Sequence, residues 1–198
     1  MSYYEHLSRD KRLKKVMDRI GPLELKARKD LWLSLCGSIM SQQLSTKVAA
    51  VIHGRFMDMY GGKPQPQLVL DTEFDELRAI GLSNAKVHYI RNVSRFAIER
   101  GISPKHLAKM SNEEVIGYLT EIKGVGRWTV EMLLMFSMKR EDVFAVDDLG
   151  IQQGMMGLYK LEKEPRKQLK EDMLRISNKW APYRSYACLY LWRWKDGE

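Results

Sequence analysis

An all-α fold of two helical lobes is what this sequence predicts, on three observations. No stretch alternates apolar and polar residues as a half-buried strand would, and helical spacing with capping residues recurs from end to end. The helices so read are short and dense, and tight glycine turns separate them, which suits two lobes with a cleft between. The length agrees: 198 residues make one large domain or two small lobes, and 44% apolar residues furnish a core.

Asp30 stands where a cap would open a helix through LWLSLCGSIM to about Gln43. A second helix, from about Ser45, is expected to carry Val48, Val51, Ile52 and Phe56 inward and to stop at Gly61-Gly62. Thr72 reads as the start of a short helix, TEFDELRAI, closed by Gly81, and Ser83 as the start of another that ends near Gly101. Pro104 suits the first turn of the next. Ser111 and Glu114 form a capping-box pattern ahead of VIGYLTEI, and after Gly124-Val125-Gly126 the run RWTVEMLLMFSM resumes helical spacing. Beyond Asp148 come a segment containing Gly and Met, a charged helix near residues 166 to 178, and an aromatic-rich helix after Pro182. Residues 30–102 are expected to form the first lobe, and residues 103–198 with residues 1–29 the second.

Composition narrows the chemistry. Lys plus Arg number 33 against 25 Asp plus Glu, a formal charge of +8, which points toward a polyanionic partner as readily as to ordinary solubility charge. Cys36 and Cys188 are the two cysteines, and His6, His53, His88 and His106 are scattered without metal-ligand spacing. A structural zinc, a four-cysteine iron–sulfur cluster and a disulfide framework therefore lack ligands. The N-terminus is charged throughout, and no apolar run approaches the ~18 residues of a membrane span. A monomer in a reducing cytosol, nucleoid or nucleus is expected, neither secreted nor bound to a membrane.

The most informative stretch is residues 119–153. Two glycines separated by one residue let the backbone take positive φ and approach another molecule, with a helix beginning at once. Main-chain N–H groups at such a helix start, with its partial positive charge, suit a phosphate oxygen and need no base contact. Lys123 and Arg127 flank the turn with formal charge. A plain αα-turn is the bland alternative.

Four blocks in order make the pattern specific: S-I-M-S-Q-Q-L-S at 38–45, I-K-G-V-G-R-W-T at 122–129, D-V-F-A-V-D-D at 142–148 and W-A-P-Y-R-S-Y-A-C-L-Y-L-W at 180–192. Together they resemble the helix-hairpin-helix superfamily of DNA base-excision glycosylases, and within it the 3-methyladenine DNA glycosylase II group that removes alkylated bases. The resemblance runs from about Leu31 to Trp194 and is to the catalytic part of larger relatives, without their N-terminal sheet domain. It implies two α-helical lobes, a hairpin at 111–138 gripping a bent duplex, and a catalytic aspartate, here Asp148. Asp147 is expected to act as helix cap or supporting group.

The same resemblance places Trp128 and Trp192 at the base pocket, with Met132 one turn after Trp128. Gln43 matches the wedge that fills the gap left by a flipped nucleotide, with Gln42 and Leu44 as neighbours. Gly124, Val125, Gly126 and Thr129 join Lys123 and Arg127 at the duplex. Main-chain carbonyls of Thr120, Ile122 and Gly124 match those that hold Na+ or K+ in related hairpins; no cofactor is otherwise implied. Relatives that also cut the strand carry a nucleophilic lysine where Trp128 stands, so a monofunctional enzyme acting on duplex DNA with an alkylated base is implied. The rivals are a non-catalytic DNA-binding protein and a glycosylase for a deaminated or oxidised base.

Overall fold

The computed structural model describes residues 1–28 and 30–197, and for Thr46 the backbone alone. Among the described residues there is no strand. The chain forms two compact units, one of Ala27–Leu133 and one of Met1–Lys26 with Leu134–Glu198. In chain order the helices are α1 (Tyr3–Leu7), α2 (Lys11–Ile20), α3 (Leu31–Ser41), α4 (Thr46–Met59), α5 (Pro66–Asp71), α6 (Phe74–Ala79) and α7 (Asn84–Glu99). They continue as α8 (Pro104–Leu107), α9 (Asn112–Thr120), α10 (Arg127–Phe136), α11 (Leu149–Tyr159), α12 (Arg166–Ser177) and α13 (Arg184–Lys195).

The Ala27–Leu133 unit is built on α7. Ser83 caps it by accepting from the Lys86 N–H, and Val87, Ile90 and Val93 are buried along one face. Against that face lies α3, capped by Asp30, whose carboxylate accepts from the Leu33 N–H at 2.8 Å. One buried polar pair joins the two helices: the Trp32 indole donates to Ser94 Oγ at 3.1 Å, and Ser94 donates onward to the Ile90 carbonyl at 2.9 Å. No buried donor is left unmet there, so the pair costs little.

Three expectations need correction in this unit. Val48 and Val51 do not turn inward; they are 45% and 48% exposed, because the inward stripe of α4 is Ala49, Ile52 and Phe56 at i, i+3 and i+7. Thr72 does not start a helix. Its hydroxyl is turned back to the Leu68 carbonyl at the end of α5, and Glu73 with Glu76 forms the capping box that opens α6. The first unit runs to Leu133 rather than to residue 102, so most of the hairpin belongs with α7. Asn92 Nδ2 donates to the Lys123 carbonyl at 3.0 Å, and the Tyr118 hydroxyl donates to the Arg100 and Gly101 carbonyls. Those bonds, together with Tyr89 packed against Gly124, hold the hairpin to α7.

The second unit is organised by Asp10. Its Oδ1 caps α2 by accepting from the Arg12 and Leu13 N–H groups, and its Oδ2 accepts from the Tyr159 hydroxyl at 2.7 Å and the Trp180 indole at 3.1 Å. Burial pushes the Asp10 pKa up, but the Tyr159 hydroxyl, the two amides and the indole outweigh it and hold the group below 3.8. α13 is fastened to the segment before Asp148 by a two-pronged Arg184–Asp142 ion pair at 2.6 and 2.9 Å and by Tyr186, whose hydroxyl donates to Glu141 at 2.9 Å.

Removing the Asp10 carboxylate strands a phenol and an indole donor and uncaps α2. Asp10→Ala is therefore expected to cost about 2–4 kcal/mol by thermal or urea denaturation. A depressed folded pKa makes this contribution complete above the ordinary aspartate value of 3.8 and lost as pH falls through the lower folded value. Asp10→Asn should accordingly show a shallower loss of stability below that pH than wild type.

Candidate active site

The hairpin is held by a capped helix, a tight glycine turn and an ion-paired arginine. α9 opens on the Ser111–Glu114 capping box and ends at Thr120, and the turn closes with the Val125 N–H donating to the Ile122 carbonyl at 2.9 Å. Gly124 has a φ of +105°, and a Cβ there would overlap the Tyr89 ring. Gly126, also read as needing positive φ, has none; a Cβ there would meet nothing within 4 Å. Its role is bare surface at the start of α10. The Val130 N–H donates to the Gly126 carbonyl at 3.2 Å at the start of that helix.

Two hairpin side chains lie otherwise than the spacing implied. Arg127 grips Glu113 through two bonds, at 2.6 and 3.0 Å, and reaches Glu131 at 3.0 Å, which makes its guanidinium a strut of the hairpin. The hydrogen bonds from Arg127 hold the Glu113 carboxyl below its usual range. Thr129 is 2% exposed, so its side chain belongs to the interior. Lys123 and Gly126 are exposed, Gly124 is half-buried and Val125 is buried beneath them.

Between α3 and α4, Gln43 takes a φ of +56°, a left-handed conformation uncommon for a residue with a side chain. Lys86 of α7 holds that turn by donating to the carbonyls of Met40 at 2.9 Å and Gln42 at 2.8 Å. Burial lowers the Lys86 pKa. Gln43 and Leu44 are exposed and Gln42 half-buried. Gln42 and Gln43 line an open cavity of about 940 Å³ with Trp128, Ser34, Ser38 and His53. Trp128 is 39% exposed, while half-buried Met132 is not among the lining residues.

In the other unit Asp148, not Asp147, caps α11. Its Oδ1 accepts from the Ile151 N–H and from the Trp192 indole Nε1, each at 2.8 Å. Asp147 forms an ion pair with Lys170 of α12 instead, because the cap position of α11 is already filled. Trp192 lies against Phe136 with ring centroids 5.6 Å apart. A Cβ at Gly150 would stand 2.8 Å from Trp192 Cδ1 and 3.1 Å from Asp148 Oδ1, so only glycine lets the indole reach the carboxylate. Gly150 and Lys86 are the participants that sequence reading missed. The run G-I-Q-Q-G-M-M-G, with glycines at i, i+4 and i+7, carried a signal for the first; nothing marked the second.

Residues 36–179 match the sequence profile described as HhH-GPD superfamily base excision DNA repair protein, and the chain belongs to that superfamily. It is 39% identical to DNA-3-methyladenine glycosylase 1 of Schizosaccharomyces pombe, over 92% of this chain and 80% of that protein. The solved structure of the 3-methyladenine DNA glycosylase of that yeast in complex with abasic DNA superposes with a TM-score of 0.86 at 36% identity, covering 98% of this chain and 96% of the other. A DNA-3-methyladenine glycosidase from Bacillus halodurans superposes at 0.84 with 35% identity, covering 97% and 88%.

The two hairpin glycines should separate cleanly by stability. Gly124→Ala meets both a disfavoured φ and the Tyr89 ring, and is expected to cost about 2–3 kcal/mol or more in thermal denaturation. Gly126→Ala, in open space at an ordinary φ, should stay within about 0.5 kcal/mol of wild type.

Proposed function

We propose that this chain is a monofunctional DNA glycosylase that hydrolyses the N-glycosidic bond of alkylated purines, of the 3-methyladenine and 7-methylguanine type, in duplex DNA and leaves an abasic site. The observation that carries this reading is the setting of Asp148. In a chain this similar to 3-methyladenine glycosylases, the aspartate that the sequence motifs single out is half-buried, and one oxygen is held by a helix N–H and an indole N–H at 2.8 Å each.

The chemistry asks for such a group. As the bond to the base lengthens, the sugar gains oxocarbenium character, and a fixed negative charge stabilises the developing cation at C1′ and orients the attacking water. An alkylated purine already carries positive charge and departs without a strong general acid, so one carboxylate suffices. Trp128 has no amine and forms no Schiff base, which leaves water as the nucleophile.

Access requires extruding the nucleotide from the duplex. Gln43 and Leu44, exposed on a turn whose backbone Lys86 has fixed, would fill the vacancy. N–H groups at the start of α10 would take phosphate oxygens. Na+ or K+ would suit the carbonyls of Thr120, Ile122 and Gly124. The Ile122 carbonyl accepts one hydrogen bond, from Val125, and keeps a second lone pair for a hard cation. Such an ion supplies positive charge beside a phosphate.

Asp148→Asn removes the charge and keeps an acceptor for both donors, and asparagine caps a helix as well as aspartate does. Base release from methylated duplex DNA should fall by about 10²–10³-fold or more, with melting temperature and duplex affinity unchanged. Wild-type protein should leave the strand uncut and yield no borohydride-trapped adduct. Binding without release by either protein identifies a DNA-binding module, and release from uracil- or hypoxanthine-containing DNA alone identifies a different lesion class. Trp192→Phe keeps an aromatic ring, though a smaller one, and deletes the N–H that fixes the carboxylate. Its kcat should fall about 10-fold or more with KM little changed, whereas a residue that served only in packing would show as lost stability.

A further inference from the structure

The second unit carries a cationic trough that the chemistry at Asp148 does not use. α2 bears Lys11, Arg12, Lys14, Lys15 and Arg19 against a single acid, Asp18, and that acid is taken by Lys14 at 2.8 Å. Arg12, Lys15, Val16 and Arg19, at i, i+3, i+4 and i+7, form one stripe of the helix. The stripe lines an open cavity of about 460 Å³ together with Trp194 and with Lys160, the left-handed C-cap of α11. All four cations are exposed, and among the described residues no carboxylate lines the cavity. Two of them are already ordered. Arg12 donates to the Tyr159 carbonyl at 2.7 Å with its guanidinium 5.6 Å from that ring's centre, and Arg19 donates to the Gly197 carbonyl at 3.1 Å. Each bond spends one of five N–H donors on a neutral oxygen, which steadies the side chain and leaves its charge in place.

We infer that this trough binds the phosphate backbone of a second DNA segment, apart from the one whose sugar meets Asp148. Asp148 and Lys160 cap opposite ends of α11, about 18 Å apart along its axis by helical rise, so a ligand at Lys160 does not touch the carboxylate. The stripe on α2 runs over two turns, about 10 Å, which one small anion cannot span and a chain of phosphates can. Like charges three and four residues apart repel and weaken the helix, and a seated polyanion offsets that cost. Arginine forks and lysine ammoniums both suit phosphate oxygens, and such contacts read no base. DNA is the polyanion at hand for a chain of a base-excision repair superfamily. The inference goes beyond the glycosylase reading and gives the protein two places to hold DNA.

The test loads the full chain onto an immobilised duplex containing an abasic site and measures retention of a free, labelled, undamaged duplex. Wild type should retain one free duplex per protein, with a Kd on the order of 10⁻⁴–10⁻⁶ M at physiological salt and a log–log salt slope of about −3.6 for four cations. The triple variant Lys15→Gln, Arg19→Gln, Lys160→Asn should retain it at least about ten-fold more weakly, with a slope of about −0.9, while its melting temperature and its hold on the immobilised duplex match wild type. The three side chains are exposed, glutamine suits a helix and asparagine a left-handed cap, so the variant folds. Arg12 is kept because it steadies Tyr159, the partner of Asp10. No retention of the free duplex by wild type, or equal retention by the variant, overturns the proposal. A variant that loses its hold on the immobilised duplex shows a single segment reaching the trough and overturns the second one. Displacement of the free duplex by polyglutamate more readily than by unlabelled duplex, charge for charge, assigns the trough to an acidic polypeptide and overturns the choice of DNA. Release of alkylated bases is followed on the same samples; its absence in wild type overturns the glycosylase reading and leaves the retention result standing.

Discussion

The setting of Asp148 depends on α13 lying close enough to α11 for an indole N–H to reach a carboxylate. Three glycines make that approach possible. A Cβ at Gly154 would stand 3.0 Å from the Leu191 carbonyl, one at Gly157 would stand 2.7 Å from the Trp194 ring, and Gly150 lies beneath Trp192 itself. Each glycine weakens α11 by roughly 0.5–1 kcal/mol relative to alanine. That helix is therefore poor by propensity and exists because Asp148 caps it and α13 covers it. Asp148 thus serves two ends with one oxygen: it secures the start of the helix, and it is held in place by that helix and the indole.

A comparable economy governs the Ala27–Leu133 unit, where α7 positions both loops of interest. Lys86, Tyr89 and Asn92, spaced three apart, reach in turn the Gln42 carbonyl, the face of Gly124 and the Lys123 carbonyl. The turn carrying Gln43 and the hairpin are thereby referenced to one rigid rod rather than to each other. Cations near the hairpin are less available than the sequence suggests, since Arg127 is held by Glu113 and Glu131.

Local structure was legible wherever one residue decides it. Asp30, Ser45, Ser83 and Ser111 cap the helices they were read to cap, because a side-chain oxygen beside an unsatisfied N–H is a short-range event. Thr72 failed because two helices meet there and its hydroxyl served the first. Val48 and Val51 failed because an apolar side chain does not announce which way a helix is rotated. The division into units was missed because it rests on Asn92, Tyr118 and Tyr89, whose partners are distant in sequence. Of the acidic pair, the one nearer α11 is the cap, as position dictates; that its neighbour pairs with Lys170 is tertiary and invisible in the chain. The motif blocks drew attention to Asp148, Trp128 and the hairpin, but not to the tie from Trp192 to the carboxylate.

Gln43 adopts a left-handed backbone, and the ammonium of Lys86 fastens the carbonyl just before it. A loop shaped on arrival has little configurational disorder left to surrender at an encounter, so its ordering is settled during folding and the strain is borne by the resting protein.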